Sequence, residues 1–438
     1  MLLIVLVLTS GNAAAVDSGP VHYTGDAELA ASPLVTGTGT EADPYVLNGH
    51  NFNCTGSSYG LWLQDTTSHV VVSNCVFLDC DSSTTDLYGY ALYLQNVSHV
   101  TVLSNSFQFC NYGVVVRDSD NCTLDTNTVT SPGYFGMTVS SSEFVELTGN
   151  TIIAGEISAV RGMIVSDSRF VAINDSTILG MSGGISLINS DSLIVHDAYL
   201  EARLEYGIYL YNCSDLEIEL CTIENVAQSG IYCDVSDHVS INNNTFENIT
   251  TYGLQCTRSD HISFSDNLVN DTNGAVLVSY SEPLIVTRNT LTNSSGAYGI
   301  HLSVVSGRIA DNTLLDSYYG IYVVDSHEID LVGNVVLHAQ GMGIDATRCN
   351  NVSLINNQVT GGSTICVSGI ELNDLDDSVA DGNTISGDYY YGIEIWTCNN
   401  VTVSFNQIGI TGQNGIRANG CTEAGIEVLN NTVQGTLV

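Results

Sequence analysis

Three carboxylates, Asp345, Glu371 and Glu394, each follow a glycine by two residues, after Gly343, Gly369 and Gly392. If the three segments are neighbouring strands, the carboxylates stand roughly 5 Å apart and the outer two roughly 10 Å apart. Like charges at that spacing raise one another's pKa. Carboxyl pairs roughly 5 Å or 6.5–9.5 Å apart serve glycoside hydrolysis, one as acid and one as nucleophile or base. This makes Asp345, Glu371 and Glu394 the candidate catalytic set, for a hydrolase or lyase acting on polysaccharide. The same oxygens could hold Ca²⁺, and no other cofactor is expected. A solvated acidic face on an acidic protein is the plain alternative. Arg417 takes the same place one step on, and Trp396 lies two residues beyond Glu394. The chain contains no lysine, which removes one usual lyase base.

Read back through the chain, the same place carries Trp62, Tyr93, Tyr209, Tyr232 and Tyr322. Together with Trp396 and Arg417 these are the candidate carbohydrate-binding residues. A second aromatic set precedes the glycine: Tyr59, Tyr112, Phe135, Tyr206, Tyr252, Tyr298, Tyr319 and Tyr391. Rings in such a row could stack on sugars, or could close the corner, since stacked aromatics stabilise sheets without a ligand. His69 with His99, and His238 with His261, recur one step apart. Asn351 and Asn400 fill a similar place, so these histidines read as turn residues.

What must position all of these is a repeat. The glycine place recurs sixteen times from Gly60 to Gly415, with Ala91 and Ala275 as the two substitutes, giving fifteen steps over 355 residues and a mean of 23.7. The residues one and three after it are apolar throughout (Cys included), which is strand alternation with one face buried. A second alternating pair follows, as in Leu216 and Ile218, then a third apolar contact such as Ile223 or Phe246. Three short strands per period and no helical segment predict one coil of a solenoid, each strand pairing with its equivalent in the next coil. Propeller blades need periods of about 40 residues or more. Eleven coils place Asn fourteen after the glycine, among them Asn74, Asn105, Asn244 and Asn406. Asn suits left-handed bends and can ladder along a stack, so this row is read as structural.

The repeat resembles the right-handed parallel β-helix repeat of pectate lyases, polygalacturonases and the carbohydrate-binding and sugar-hydrolase modules. It is most similar to proteins grouped with the nitrous-oxide-reductase accessory protein NosD, whose lead-in motif resembles Gly37 to Leu47 here. The resemblance implies an all-β fold, a single-stranded right-handed parallel β-helix of about sixteen coils. It also implies a cleft on the outward sheet that carries Asp345, Glu371 and Glu394. A copper accessory role, which it further suggests, would need clustered His, Cys or Met.

Around the coils, residues 1–15 read as a signal peptide, since an apolar run too short to span a bilayer ends in small residues. Residues 16–47 read as a lead-in and cap, with a short helix from Asp26 to Ala31 and Asp26 as its N-cap. Residues 48–438 read as the β-helix, whose far end would be covered by further chain or a partner. Three steps are long, with insertions near 79–88, 155–158 and 361–368, the last a candidate wall for the acidic row. A net charge of −38 excludes nucleic acid as a partner, because phosphate contacts need cations. Twelve Asn-x-Ser/Thr sequons read either as glycosylation acceptors or as a by-product of Asn corners beside Thr- and Ser-rich strands. Among thirteen cysteines, Cys233 and Cys256 are expected as stacked buried thiols, Cys398 and Cys421 are spaced for a disulfide, and Cys80 nearly coincides with Cys110. The expectation is a secreted or cell-surface protein, without a membrane span, that binds or organises polysaccharide or surface glycan. A polysaccharide enzyme, an adhesive solenoid and a copper accessory protein are the alternatives.

Overall fold

The computed structural model describes residues 16–81, 88–155, 161–294, 296, 298–362, 366–410, 412–421 and 425–435. The expected signal peptide lies outside these residues, as do parts of all three insertions. The chain is an all-β, right-handed parallel β-solenoid of about 16 turns. Its internal contacts divide it into two units, residues 1–181 and 182–438.

In the first unit the glycine-place strands Tyr59–Gln64, Tyr90–Gln95, Tyr112–Arg117, Phe135–Ser140 and Arg161–Ser166 pair in parallel, each with the next. The lead-in strand Val21–Thr24 adds a rung below them, Val21 opposite Leu61. The helix Asp26–Ala31 forms as expected and buries Leu29. Its N-cap, however, is Gly25. Asp26 is already inside the helix, and its carboxylate accepts hydrogen bonds from the Thr66 hydroxyl and the Ser68 backbone N–H, tying helix to coil.

In the second unit the equivalent row runs through eleven coils. Ile208, Ile231 and Leu254 lie directly opposite one another, as the period requires. Every inward side chain thus meets its own kind above and below, and the buried set is dominated by Ile, Val and Leu. The glycine place has a steric origin. A Cβ on Gly320 would sit 2.2 Å from the Gly343 carbonyl oxygen and 2.5 Å from Val336. The strand enters the coil so close to its neighbour that almost nothing larger fits.

The asparagine row is a hydrogen-bonded ladder in each unit. In the second it runs Asn244, Asn267, Asn289, Asn312, Asn334, Asn357, Asn383, Asn406 and Asn431. From Asn267 on, each side-chain oxygen accepts from both the backbone N–H and the amide of the preceding Asn, at 2.8–3.1 Å, while that of Asn244 accepts from the Cys221 N–H. Two corrections follow. The left-handed residue is the one before the ladder Asn, as at Asn243, Asp266, Arg288 and Asp311, because the Asn itself must turn inward to reach its neighbours. Asn74 is such a corner residue (φ 52°), and the ladder place of its coil is Cys75, whose N–H donates to Asn105.

The cysteines depart from expectation once. Cys233 and Cys256 are buried free thiols on facing strands, as expected. Cys398 and Cys421 are free as well: each thiol turns to a carbonyl two residues earlier in its own coil, Trp396 at 3.2 Å and Asn419 at 3.4 Å. Cys80 bonds to Cys54, which leaves Cys110 a buried thiol.

Candidate functional site

The strand Ile344–Ile355 brings Asp345 opposite Glu371 on Cys366–Asp381; Glu371 lies opposite Glu394 on Tyr389–Trp396, and Glu394 opposite Arg417 on Asn414–Asn419. Tyr322 precedes Asp345 in the same column. One register therefore aligns Tyr322, three carboxyls and an arginine in five successive coils, roughly 4.8 Å apart.

These side chains leave the outer face of the sheet but do not stand in open water. Glu394 is 3% exposed and Glu371 9%. Burial and the neighbouring Asp345 and Glu394 charges push the Glu371 carboxyl up to about 7. Burial pushes Asp345 up to about 6, against a hydrogen bond that it accepts from Thr347 at 2.8 Å. Glu394 accepts from the Ser368 hydroxyl at 2.8 Å and from Arg417 Nη1 at 3.1 Å. With the Asn419 amide turned to accept, Arg417 also donates to its oxygen at 2.8 and 3.0 Å. The guanidinium lies over Tyr391 (4.7 Å) and Trp396 (5.2 Å). By contrast, no side chain among the described residues hydrogen-bonds the Glu371 carboxyl.

A groove of ≈ 490 Å³ opens over this cluster, floored by Glu371, Glu394 and Arg417 and sided by Trp396, Tyr391 and Val367. Val367 comes from the 361–368 insertion, so the described end of that insertion does border the acidic row. Ser368 escaped the sequence reading. Its signal was a gap: it stands directly before Gly369, opposite Tyr391, where many coils carry an aromatic.

The other aromatic candidates are not brought into the groove. Tyr209 and Tyr232 share its column, but Gln255, Leu277 and His301 separate them from Tyr322. Their rings stack on each other at 5.7 Å, 2° from parallel, and Tyr206 stacks on both. In the first unit Trp62 lies between His22 (4.0 Å) and Tyr93 (5.4 Å). Ring faces occupied by protein rings are not offered to a sugar, so these positions act first as cross-strand packing. The histidine pairs also meet ring to ring, His69 with His99 tilted at 4.6 Å and His238 with His261 stacked at 4.2 Å. No helix among the described residues is long and apolar enough to cross a membrane.

A search by sequence among curated proteins finds no match. Among solved structures the chain is similar to a mutant of the periplasmic alginate epimerase AlgG, at 13% identity over 72% of this chain and 77% of that one, TM-score 0.45. It is similar to the A-module of the Azotobacter vinelandii mannuronan C-5 epimerase AlgE6 at 13% identity, over 78% and 91% of the two chains, TM-score 0.38. It is also similar to PfbA, a surface adhesin of Streptococcus pneumoniae, at 12% identity over 89% and 82%, TM-score 0.30. Likenesses this distant say nothing of activity. A family model described as "Right handed beta helix region" matches residues 90–170, 158–307 and 298–436. Those matches cover well over half of the chain, which therefore belongs to the right-handed β-helix family.

Proposed function

We propose that the chain binds polysaccharide at the groove over Glu371 and Glu394, with Asp345 next in their column, as a secreted or cell-surface protein. The observation that carries this reading is the Glu371 carboxyl. It is nearly buried, has no side-chain hydrogen-bond partner among the described residues, and lies beside two aromatic rings and a saturated Glu394–Arg417 pair. Sugars need that mixture, an apolar ring surface next to hydrogen-bonding groups that are not already spent. A net charge of −38 disfavours polyuronates and favours a neutral or amine-bearing glycan.

Acid–base cleavage of the bound glycan is the second reading. It rests on carboxyls of neighbouring coils raised to different extents, Glu371 to about 7 and Asp345 to about 6. A carboxyl that holds its proton near neutral pH can donate it to a leaving oxygen, while a neighbour acts as base or nucleophile.

One experiment addresses both readings. The chain and its Glu371→Gln variant are applied to a glycan array and incubated with a polysaccharide panel while released reducing ends are measured. Binding by the parent that Glu371→Gln weakens, with no sugar release by either protein, supports the binding reading. Release abolished by Glu371→Gln supports cleavage. A blank array together with no release overturns both and leaves a structural solenoid.

A further inference from the structure

A second cluster lies at a different corner of the coils, outside the groove residues. Asp237 and His238 share one coil and His261 belongs to the next, with Asp237 opposite Asp260 in the register. Both histidines occupy left-handed corners, φ 52° and 51°. Equivalent corners of this unit carry Asp215, Asn351, Asp377 and Asn400, the ordinary residues for that conformation. Histidine tolerates it as well, and its use twice in succession places two imidazoles one above the other. Their rings stack at 4.2 Å and 10°, and their Nδ1 atoms approach the same carboxylate. His238 Nδ1 lies 2.9 Å from Asp237 Oδ2 and His261 Nδ1 lies 2.9 Å from Asp237 Oδ1.

That arrangement has the dimensions of a coordination sphere. Ligands roughly 2.0–2.1 Å from a tetrahedral metal lie roughly 3.3 Å apart, so each 2.9 Å contact has only to open by a few tenths of an ångström. One ligand atom from each of the three residues can be chosen so that all lie within 4.8 Å of one another; among the described residues this is the only such group of three or more. The side chains are about half exposed, at 55% for His238 and 49% each for His261 and Asp237. Because they are exposed, the two rings can rotate out of their stack to aim both Nδ1 lone pairs at one ion, and water can complete the sphere. The strongly negative chain also concentrates cations at its surface.

A comparison within the molecule separates this cluster from an ordinary neighbouring histidine pair. His69 and His99 also lie one coil apart, at 4.6 Å, but their rings are tilted by 36° and serines 68 and 98 precede them where Asp237 precedes His238. His338 and His327 each meet a single carboxylate, Asp316 and Glu282.

We infer that Asp237, His238 and His261 form a surface site for a borderline divalent transition-metal ion such as Zn²⁺. Two nitrogens and one carboxylate suit such an ion, whereas Ca²⁺ and Mg²⁺ seek oxygen alone. On binding, each neutral imidazole carries its one proton on Nε2 and turns its Nδ1 lone pair to the metal, so the two Nδ1 contacts with Asp237 are exchanged for metal–ligand bonds.

The test is calorimetric titration of the untagged full chain with ZnCl₂ in excess Ca²⁺, which occupies sites made only of carboxylates. The expected result is one Zn²⁺ equivalent, accompanied in NMR by displacement of the Nδ1 resonances of two histidines. His238→Asn and His261→Asn place in these corners the residue found at Asn351 and Asn400, so the fold is kept. Each should weaken Zn²⁺ by more than the roughly 10- to 100-fold typical of losing a second-sphere partner. The double variant His69→Asn/His99→Asn should bind as the parent does. An isotherm unchanged by His238→Asn and His261→Asn, or no Zn²⁺ equivalent in the parent, would overturn the site and leave a hydrogen-bonded ion cluster.

Discussion

The second unit contains two polar columns built by the same register, and they behave in opposite ways. In the asparagine column every member carries both a donor and an acceptor, so each side chain satisfies the next and the column is buried from Asn244 to Asn406. In the column from Asp345 to Glu394 each member has acceptors only until it takes up a proton. Stacking then sets like charges roughly 5 Å apart. The column is relieved at one end by Arg417 and Ser368 and along its length by raised pKa values. Repetition of one side chain is therefore cohesive or reactive according to whether that side chain is complementary to itself.

The most severe way to break this contrast is to interrupt the cohesive column. Asn334→Ala removes the acceptor for the Asn312 N–H and amide and the donor to the Ile309 carbonyl, all buried. The loss should be about 3–5 kcal/mol, seen as a lower denaturant midpoint of the full chain. In the repulsive column the sign reverses. The Glu371 carboxyl is raised from 4.5 to about 7 on folding. Between those values the native state holds more protons than the unfolded one, so this group's contribution is fully present below pH 4.5 and is lost as pH rises through 7. Glu371→Gln should therefore stabilise the chain at pH 8 by about 2–3 kcal/mol and flatten its stability profile between pH 5 and 8. A variant no more stable than the parent at pH 8 would remove the electrostatic account of this column.

The relief at the column's end supplies two smaller tests. Arg417→Ala leaves Glu394 buried without its cation, and should cost about 1–3 kcal/mol at neutral pH, less at high salt. Arg417→Lys should restore only part of this, since a lysine cannot lie flat over Tyr391 and Trp396. Ser368→Ala removes one hydrogen bond to the same carboxylate and should cost about 1 kcal/mol by the same denaturant measurement.

Much of this architecture was readable before any fold was known. The alternation after each glycine defined the inward face, and the constant step aligned Asp345, Glu371 and Glu394 from spacing alone. The asparagine ladder was visible but misplaced by one residue at Asn74, and Asn312 and Asn431 were missed because their coils depart from the common spacing. A fixed offset cannot follow a coil that is shorter or longer than its neighbours. Ser368 was marked only by the missing aromatic before Gly369, and that gap does not say which carboxylate the hydroxyl reaches. The Cys398–Cys421 expectation failed because equal offsets bring backbones together without deciding which way a thiol turns.

By itself the sequence determined the coil, its period, the buried columns and the succession of outward residues, because a repeat with a two-residue alternation leaves one way to stack. Only the tertiary structure decided which outward groups are free to act. It covered the faces of Trp62 and Tyr209 with neighbouring rings, joined Arg417 to Glu394, left Glu371 without a side-chain hydrogen bond among the described residues, and set two histidines against one aspartate. Each outcome depends on rotamers and on contacts between coils, and these follow from packing at close range rather than from any spacing along the chain.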